Sequence, residues 1–388
     1  RTPNTARPAV PQRLNRDMNT VRDIAHFDQP LALDSGAELA RVDVAYETYG
    51  ELNAAADNAV LVLHGLTGTQ HAMGLSSDTG RPGWWDSAIG PGKAIDTERY
   101  YVVSPNTLGS YGGSTSAASA DPKTNRPYGS QFPIVTIGDS VESQARLTDA
   151  LGISRYHAIL GGCFGGFQAM EWMARHPDRV GSSVVISATP RTSAHNTALW
   201  SVLRAAIRSD PNWNGGDYYG SASPDAGLGL AAMFGALFWM SREVFESKFG
   251  LRRIDSDEPE YGFEPEYAVE EFLEGVSRNA AGRIDANALL YLTRAIDYFD
   301  MSRGHTDLAA AFNRYTAPSL LISYTGDWRY PAEDMEEIAD ALRENGTACR
   351  HDTLNSPAGH GGFLYDTERL SPLLAAFLND PENVAQAS

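Results

Sequence analysis

The chain has 388 residues, of which 42% are hydrophobic, 10% aromatic and 21% charged, and this apolar content excludes intrinsic disorder as its main character. A formal net charge of −18 argues against a protein that follows a nucleic-acid backbone. Its two cysteines, Cys163 and Cys349, cannot form a disulfide framework and match no zinc motif, so the composition favours a cytoplasmic protein.

Residues 1–20 are rich in Pro, Arg and Asn and lack the apolar stretch of a signal peptide, so we expect a flexible lead-in. Beyond it come short β-branched runs, each followed by a turn. Continuous apolar runs of this kind are typical of strands buried on both faces of a parallel sheet. The predicted strands are 59–64, 100–104, 157–160, 184–187 and 319–323. Their alternation with helical patterns such as 167–176 predicts an α/β core domain, a mostly parallel central sheet flanked by helices, in residues 21–190 and 305–388.

The stretch 191–304 differs from the rest of the chain, because it has aromatic-rich helical patterns and no strand signals. The helical patterns lie at 198–208, 230–249 and 268–276. Because insertions at the carboxyl ends of strands commonly shape a binding site, we interpret this stretch as a helical lid domain rather than as additional scaffold. Its longest apolar run, 226–240, is shorter than the roughly 20 residues needed to cross a bilayer, so it predicts a buried or interface helix.

The sequence Gly161-Gly162-Cys163-Phe164-Gly165 lies between a predicted strand and a predicted helix. It is the G-x-S-x-G nucleophile elbow with cysteine in place of serine. The outer glycines allow a tight turn without Cβ collisions, and the helix that follows offers N–H groups and a positive dipole end that favour a thiolate. Cys163 is therefore the candidate nucleophile. The alternative is a buried structural cysteine in a glycine-rich turn.

A nucleophile of this kind needs a general base and a group that orients the base, in the chain order nucleophile, acid, histidine. Asp327 directly follows a predicted strand and His360 lies in a glycine-rich turn, so they are the predicted orienting acid and base. The backbone N–H groups of Leu66 and Phe164 are the predicted oxyanion hole. Other candidates lie on a solvated acidic helix face or lack this loop context: Glu333, Asp334, Glu336, His157, His176, His195 and His305.

At this point the chain resembles the homoserine O-acetyltransferases of the α/β-hydrolase superfamily, over nearly its whole length. Besides the elbow, the resemblance is carried by residues 63–68 with His71, 103–109, 113–115, 126–136, 168–172, 204–207, 210–216, 283–287 and 359–360. It implies an α/β-hydrolase fold with an inserted helical lid. It also implies ping-pong transfer of an acyl group, acetyl in that family, from acyl-CoA through the nucleophile to a small acceptor. The lid of such proteins commonly forms a homodimer interface.

Three departures from the family's pattern bear on the chemistry. Cys163 stands where the family usually has serine, and because a thioester intermediate reacts with amines as well as hydroxyls, the range of acceptors widens. Gly361 stands where the family typically has an aspartate that resembles a partner for the acceptor's ammonium group, so we expect an acceptor other than homoserine. Gly138 replaces an arginine, and Ser116-Ala117 replaces Gly-Pro, which predicts a reshaped pocket.

Arg204 matches the family's lid arginine, which resembles an anchor for the acceptor's carboxylate. The alternative is a helix-surface arginine paired with Asp210 or Glu243. If Arg204 is functional while Gly361 has replaced the acid, a carboxylate-bearing acceptor or acyl group without a free α-amine fits the site.

The sequence thus predicts an acyl-CoA-dependent acyltransferase with a Cys163, His360 and Asp327 triad and a small-molecule acceptor, with no metal, bound cofactor, nucleic acid or membrane indicated. An ester or amide hydrolase with the same triad would differ in the lifetime of its acyl-enzyme in water. An acyl shuttle between carrier proteins would need an exposed basic patch to bind an acidic carrier. The overall negative charge of the chain disfavours such a patch. A non-catalytic binding protein is disfavoured by the intact triad residues.

Overall fold

The structure, a computed structural model, describes residues 12–15, 20–255 and 258–386. Within these residues a single large sheet is formed by β1 (Gln12–Asn15), β2 (Thr20–Phe27), β5 (Val42–Tyr49), β6 (Ala59–Leu63), β7 (Tyr101–Pro105), β8 (Ala158–Gly162), β9 (Ser183–Ile186), β10 (Ser319–Tyr324) and β11 (Cys349–Leu354). The spatial order is β1-β2-β5-β7-β6-β8-β9-β10-β11. Two further short strands, β3 (Leu31–Ala32) and β4 (Glu38–Leu39), pair with each other.

The sheet is antiparallel from β1 to β7 and parallel from β7 to β11. Every residue of β6, β8, β9 and β10 is buried, as continuous apolar runs between two helical layers require. The carboxyl ends of these parallel strands lie at one edge of the sheet, and that edge carries the predicted nucleophile and acid. The predicted α/β fold with a mostly parallel sheet is confirmed.

The helices that flank the sheet are α1 (Ile137–Ala150), α2 (Phe164–Arg175), α8 (Leu308–Ala311), α9 (Ala332–Glu344), α10 (Gly362–Tyr365), α11 (Thr367–Asn379) and α12 (Pro381–Gln386). Helix α2 begins three residues earlier than its apolar pattern predicts, directly after Cys163. Glycines at its first turn hide the helical period there, because they carry no side chain to mark the buried face.

Between the two parts of the core lie α3 (Ala194–Ser209), α4 (Asp225–Trp239), α5 (Arg242–Lys248), α6 (Ala268–Ala280) and α7 (Ala286–Asp297). They occupy the stretch predicted to be a helical lid. The pattern predicted as one helix over 230–249 is two helices that meet at an angle of 103°. Ser241 causes the break, because its hydroxyl accepts from the Val244 N–H to cap α5 and also donates to the carbonyl of Pro357 in the core.

In the described part of the chain, no helix by itself has the length and apolar content to cross a membrane, although the bent pair α4 and α5 together meets that criterion by length and composition.

Several strands were not predicted. Part of the expected lead-in, β1, pairs with β2 at the edge of the sheet, while residues 1–11 and 16–19 lie outside the described residues. The pattern of β2 alternates between more and less exposed positions, and β11 carries polar side chains because it pairs on one side only, with β10. Neither strand therefore has the continuous apolar run by which the central strands were found.

Candidate active site

The elbow holds Cys163 between β8 and α2 with φ 57° and ψ −122°, a conformation that a residue with a Cβ rarely adopts and that is typical of functional sites. Its glycines are required by close backbone contact. A Cβ on Gly161 would lie 2.1 Å from the Gly165 carbonyl oxygen, and one on Gly165 would lie 2.0 Å from the Leu63 carbonyl oxygen. The motif thus packs the nucleophile's turn directly against the end of β6.

The structure brings the predicted acid and base together. Nδ1 of His360 donates to Oδ2 of Asp327 over 2.8 Å, and Oδ1 of Asp327 accepts from the backbone N–H groups of Arg329 and Tyr330 at 3.1 and 3.0 Å. Nε2 of His360 is buried and has no hydrogen-bond partner among the described residues, so it is the nitrogen left for the thiol. Cys163, Asp327 and His360 are 1%, 4% and 0% exposed.

The buried charges of the triad support one another. Burial opposes ionisation of the Cys163 thiol, but the positive charges of His360 and Arg329 outweigh it and lower the pKa of Cys163 to about 7. Burial likewise opposes protonation of His360, and the negative charges of Asp327 and Cys163 outweigh it and raise the pKa of His360 to about 9. At pH 7 about half of the thiol is therefore ionised, and between about pH 7 and 9 the pair exists mainly as thiolate and imidazolium.

One of the two predicted oxyanion donors contacts the thiol, and the other belongs to the residue after Gly65, which lies beside Cys163. The Phe164 N–H, the first of α2, helps to lower the pKa of Cys163 through a hydrogen bond, and a Cβ on Gly65 would lie 3.8 Å from the Cβ of Cys163. The N–H of the next residue, Leu66, donates no hydrogen bond within the described chain. A tetrahedral oxyanion needs two backbone donors next to the nucleophile, and the N–H groups of Phe164 and Leu66 could provide them.

His64, which sequence reasoning left without a role, fixes this loop. Its Nδ1 donates to the Gly65 carbonyl over 2.8 Å and its Nε2 accepts from the Thr107 N–H over 3.1 Å, while Gly68 donates to the same Gly65 carbonyl. Burial lowers the pKa of His64 to about 4, so the ring stays neutral. It therefore holds the peptide that precedes Leu66 in one orientation at every pH at which the protein would act.

Arg204 is buried, and its Nη2 forms an ion pair with Oδ2 of Asp297 over 2.6 Å. The alternative considered from the sequence named Asp210 or Glu243 as its partner; the carboxylate is that of Asp297, and the pair joins α3 to α7. Nη1 of Arg204 is buried without a hydrogen-bond partner among the described residues. Its role as a substrate anchor stays a prediction.

Sequence reasoning missed Arg329, two residues after Asp327. It is 5% exposed, and its guanidinium carbon lies 4.3 Å from the centre of the Trp200 ring and 5.0 Å from that of Tyr330. Its Nε and Nη2 are buried without a hydrogen-bond partner in the described residues. The available signal was its position in the loop that carries the orienting acid, since side chains at the end of a parallel strand point toward the site.

A lid residue, Trp239, also borders the base and was missed. Its ring stands edge-to-face on His360, with centres 5.1 Å apart. A Cβ on Gly361 would lie 2.6 Å from Nε1 of Trp239 and 2.9 Å from Cδ2 of Tyr365. An indole from α4 thus occupies the space that any side chain at position 361 would need.

The chain is similar to known proteins in both sequence and structure. A family model described as alpha/beta hydrolase fold matches residues 58–367. The homoserine O-succinyltransferase of Pseudomonas entomophila is 46% identical over 363 residues, covering 92% of this chain and 95% of that protein. The solved structure of homoserine O-acetyltransferase from Bacillus anthracis matches with a TM-score of 0.86 at 27% identity, covering 94% of this chain and 98% of its own. Esterase E22 matches with a TM-score of 0.84 at 28% identity, covering 92% and 100%.

Proposed function

Since the chain belongs to the α/β-hydrolase fold family and, within it, to the homoserine O-succinyl- and O-acetyltransferases, we propose that it moves an acyl group from acyl-CoA, through a thioester on Cys163, to a hydroxyl or amine group of a small acceptor. That it is an acyltransferase follows from its relatives. The cysteine chemistry rests on one observation: the Cys163 thiol shares a buried site with a His360 ring that Asp327 orients and that lowers the pKa of the thiol.

In the first half-reaction the Cys163 thiolate attacks the carbonyl carbon of the donor thioester. The carbonyl π electrons move to the oxygen, which the N–H groups of Leu66 and Phe164 stabilise. When the tetrahedral intermediate collapses, the bond from carbon to the CoA sulfur breaks, and the departing thiolate takes the proton from Nε2 of His360. The nucleophile needs no deprotonation in this step, because it is already ionised.

In the second half-reaction neutral His360 accepts a proton from the acceptor's O–H or N–H group as that atom attacks the new thioester. The same two N–H groups stabilise the oxyanion. Collapse breaks the bond from carbon to Sγ, and the leaving group is the thiolate that the imidazolium and Arg329 stabilise. The site returns to its starting charge state without an external proton donor.

Arg329 supports a donor whose acyl group carries its own carboxylate, such as succinyl, in place of the acetyl group implied by the resemblance. A buried guanidinium near the nucleophile, with two N–H donors that have no hydrogen-bond partner among the described residues, can bind a further anion through those donors. The fork of donors matches a carboxylate. A succinyltransferase among the similar proteins is in keeping with this choice.

The acceptor is proposed to lack an ammonium group that a carboxylate at position 361 would bind. Gly361 offers no charge, and the Trp239 indole fills the adjoining space. A neutral or carboxylate-bearing acceptor is therefore favoured over homoserine, since a buried ammonium without an anionic partner is costly.

Two further proposals concern the state of the protein. A homodimer through the lid is supported by exposed apolar side chains on α3 and α4, namely Val202, Leu230 and Leu237. A cytoplasmic location is supported by the need of Cys163 to remain reduced.

Activity should depend on pH through two groups. We expect alkylation of Cys163 by iodoacetamide to speed up as pH rises through about 7, because only the thiolate reacts. Acyl loading should rise over the same range and fall above about pH 9, where His360 loses the proton that the leaving thiolate needs. Cys349 is the internal control, since burial raises its pKa to about 12. Alkylation of each cysteine is measured by peptide mass analysis. Equal alkylation of Cys163 and Cys349 at pH 7.5 would contradict the assignment of Cys163 as the nucleophile.

The proposed function is tested by intact-mass analysis after mixing the protein with acetyl-CoA or succinyl-CoA, with Cys163→Ala as the control. We expect an adduct on Cys163 that an added acceptor discharges faster than water does. Esterase E22 makes hydrolysis the second candidate, and an adduct that water removes as fast as homoserine, serine or simple amines would favour it. An acyl shuttle would instead require a carrier protein for discharge.

A further inference from the structure

We propose that Trp200 is the positioning residue that keeps Arg329 available for the acyl group, so that it determines which acyl donors the enzyme accepts. This inference rests on the proposed function, in which Arg329 binds a carboxylate of the acyl group. Trp200 lies on α3 in the lid, whereas Arg329 lies in the core loop after β10.

Helix α3 of the lid contacts both the side chain and the backbone of Arg329. The guanidinium carbon lies 4.3 Å from the centre of the Trp200 ring, which is the distance of direct stacking. One turn earlier on α3, Nδ2 of Asn196 donates to the Arg329 carbonyl over 3.1 Å. Trp200 is 3% and Asn196 1% exposed, so these contacts are sealed from solvent.

Arg329 keeps its N–H donors available because its partner is an aromatic ring and not a carboxylate. A carboxylate would stabilise a buried guanidinium by pairing with its N–H groups, and it would thereby use the donors that a ligand needs. An indole face attracts the cation through its π electrons, more strongly in a desolvated setting than at the surface. Because stacking engages the face of the guanidinium, the N–H groups at its edge stay free, as Nε and Nη2 of Arg329 are among the described residues.

A second observation on the same pair of side chains is typical of a ligand site. Nε1 of Trp200 is itself buried and has no hydrogen-bond partner within the described chain. Buried donors are almost always satisfied in folded proteins. The stacked pair thus carries three buried donors without a hydrogen-bond partner among the described residues, and the lone pairs of one carboxylate suffice to accept from all three.

The test compares kcat/KM for succinyl-CoA with kcat/KM for acetyl-CoA in a mutant cycle. We expect Trp200→Leu to lower the succinyl-to-acetyl ratio about 10-fold or more and Trp200→Phe, which retains an aromatic face, to lower it less. In the Arg329→Met background, Trp200→Leu should leave the ratio unchanged, because the group it positions is gone. Trp213→Leu is the matched control, a lid tryptophan that stacks on Arg208, and should not alter the ratio.

Two outcomes would overturn the inference and can be told apart. If Trp200→Leu and Trp200→Phe lower both donors equally while Arg329→Met alone shifts the ratio, Trp200 is only a packing residue and the proposed donor class stands. If Arg329→Met leaves the ratio unchanged, Arg329 binds no acyl carboxylate, and both the donor class and the role of Trp200 fail. The Trp200→Phe variant keeps the test decisive if Trp200→Leu does not fold.

Discussion

Cys163→Ala is expected to lower acyl transfer about 10⁴-fold or more and to abolish the covalent adduct. The variant loses the sulfur that carries the acyl group in the proposed mechanism, while the N–H donors of Leu66 and Phe164 remain in place. Alanine also fits the site, because the side chain becomes smaller at a position that is 1% exposed. Steady-state kinetics with succinyl-CoA, together with intact mass, measures the loss.

Cys163→Ser tests whether the site depends on a thiolate and imidazolium pair or only on the positions of its groups. A serine hydroxyl does not ionise near neutral pH, so His360 must be neutral before it can act as a base. Because the serine lacks the negative charge that helps to raise the pKa of His360, that pKa should fall in the variant. The rate should then rise with pH through this lowered pKa and show no fall near pH 9. A bell-shaped profile in the serine variant, like that expected for the natural protein, would contradict the thiolate and imidazolium pair.

Gly165→Ala is expected to destabilise the protein by about 3 kcal/mol or more. Its Cβ would lie 2.0 Å from the Leu63 carbonyl oxygen and 3.1 Å from that of His64, and both obstacles are backbone atoms that cannot rotate away. Relief requires α2 to separate from the end of β6, which also moves the loop that contains Leu66. Activity should therefore fall along with the free energy of unfolding measured by chemical denaturation.

Gly262→Ala is the matched control for this substitution. The nearest atom to its added Cβ is 3.9 Å away, so we expect a change within about 0.5 kcal/mol. If Gly165→Ala proves as harmless as Gly262→Ala, the close packing of the elbow against β6 is wrong.

The triad could be predicted because each member lies where a local pattern ends. Cys163 lies between two glycines after an apolar run, and Asp327 follows the next such run but one. These signals need no knowledge of distant contacts. The contact of His360 with Asp327 follows from a fold that brings the ends of its parallel strands together, and the oxyanion role of the Leu66 and Phe164 N–H groups stays a prediction.

The remaining parts of the site could not be predicted, because they depend on contacts between the lid and the core. No spacing in the sequence relates Trp200 to Arg329 or Trp239 to Gly361, which are more than 120 positions apart in the chain. The missed strands could not be predicted for a similar reason, because they depend on contacts with neighbouring strands. Strand β5 is recognisable only from its pairing with β2 on one side and β7 on the other.

The contact between Gly361 and Trp239 restricts the order in which this site can change during evolution. A side chain introduced at position 361 first would collide with the indole of Trp239 and with the ring of Tyr365, whereas a smaller residue introduced first at position 239 would remove the closer of these two collisions. The two positions are therefore epistatic, and the same substitution at 361 is harmful or acceptable depending on what precedes it. If position 361 contacts the acceptor as proposed, we expect a shift of acceptor preference to begin in the lid and not beside His360.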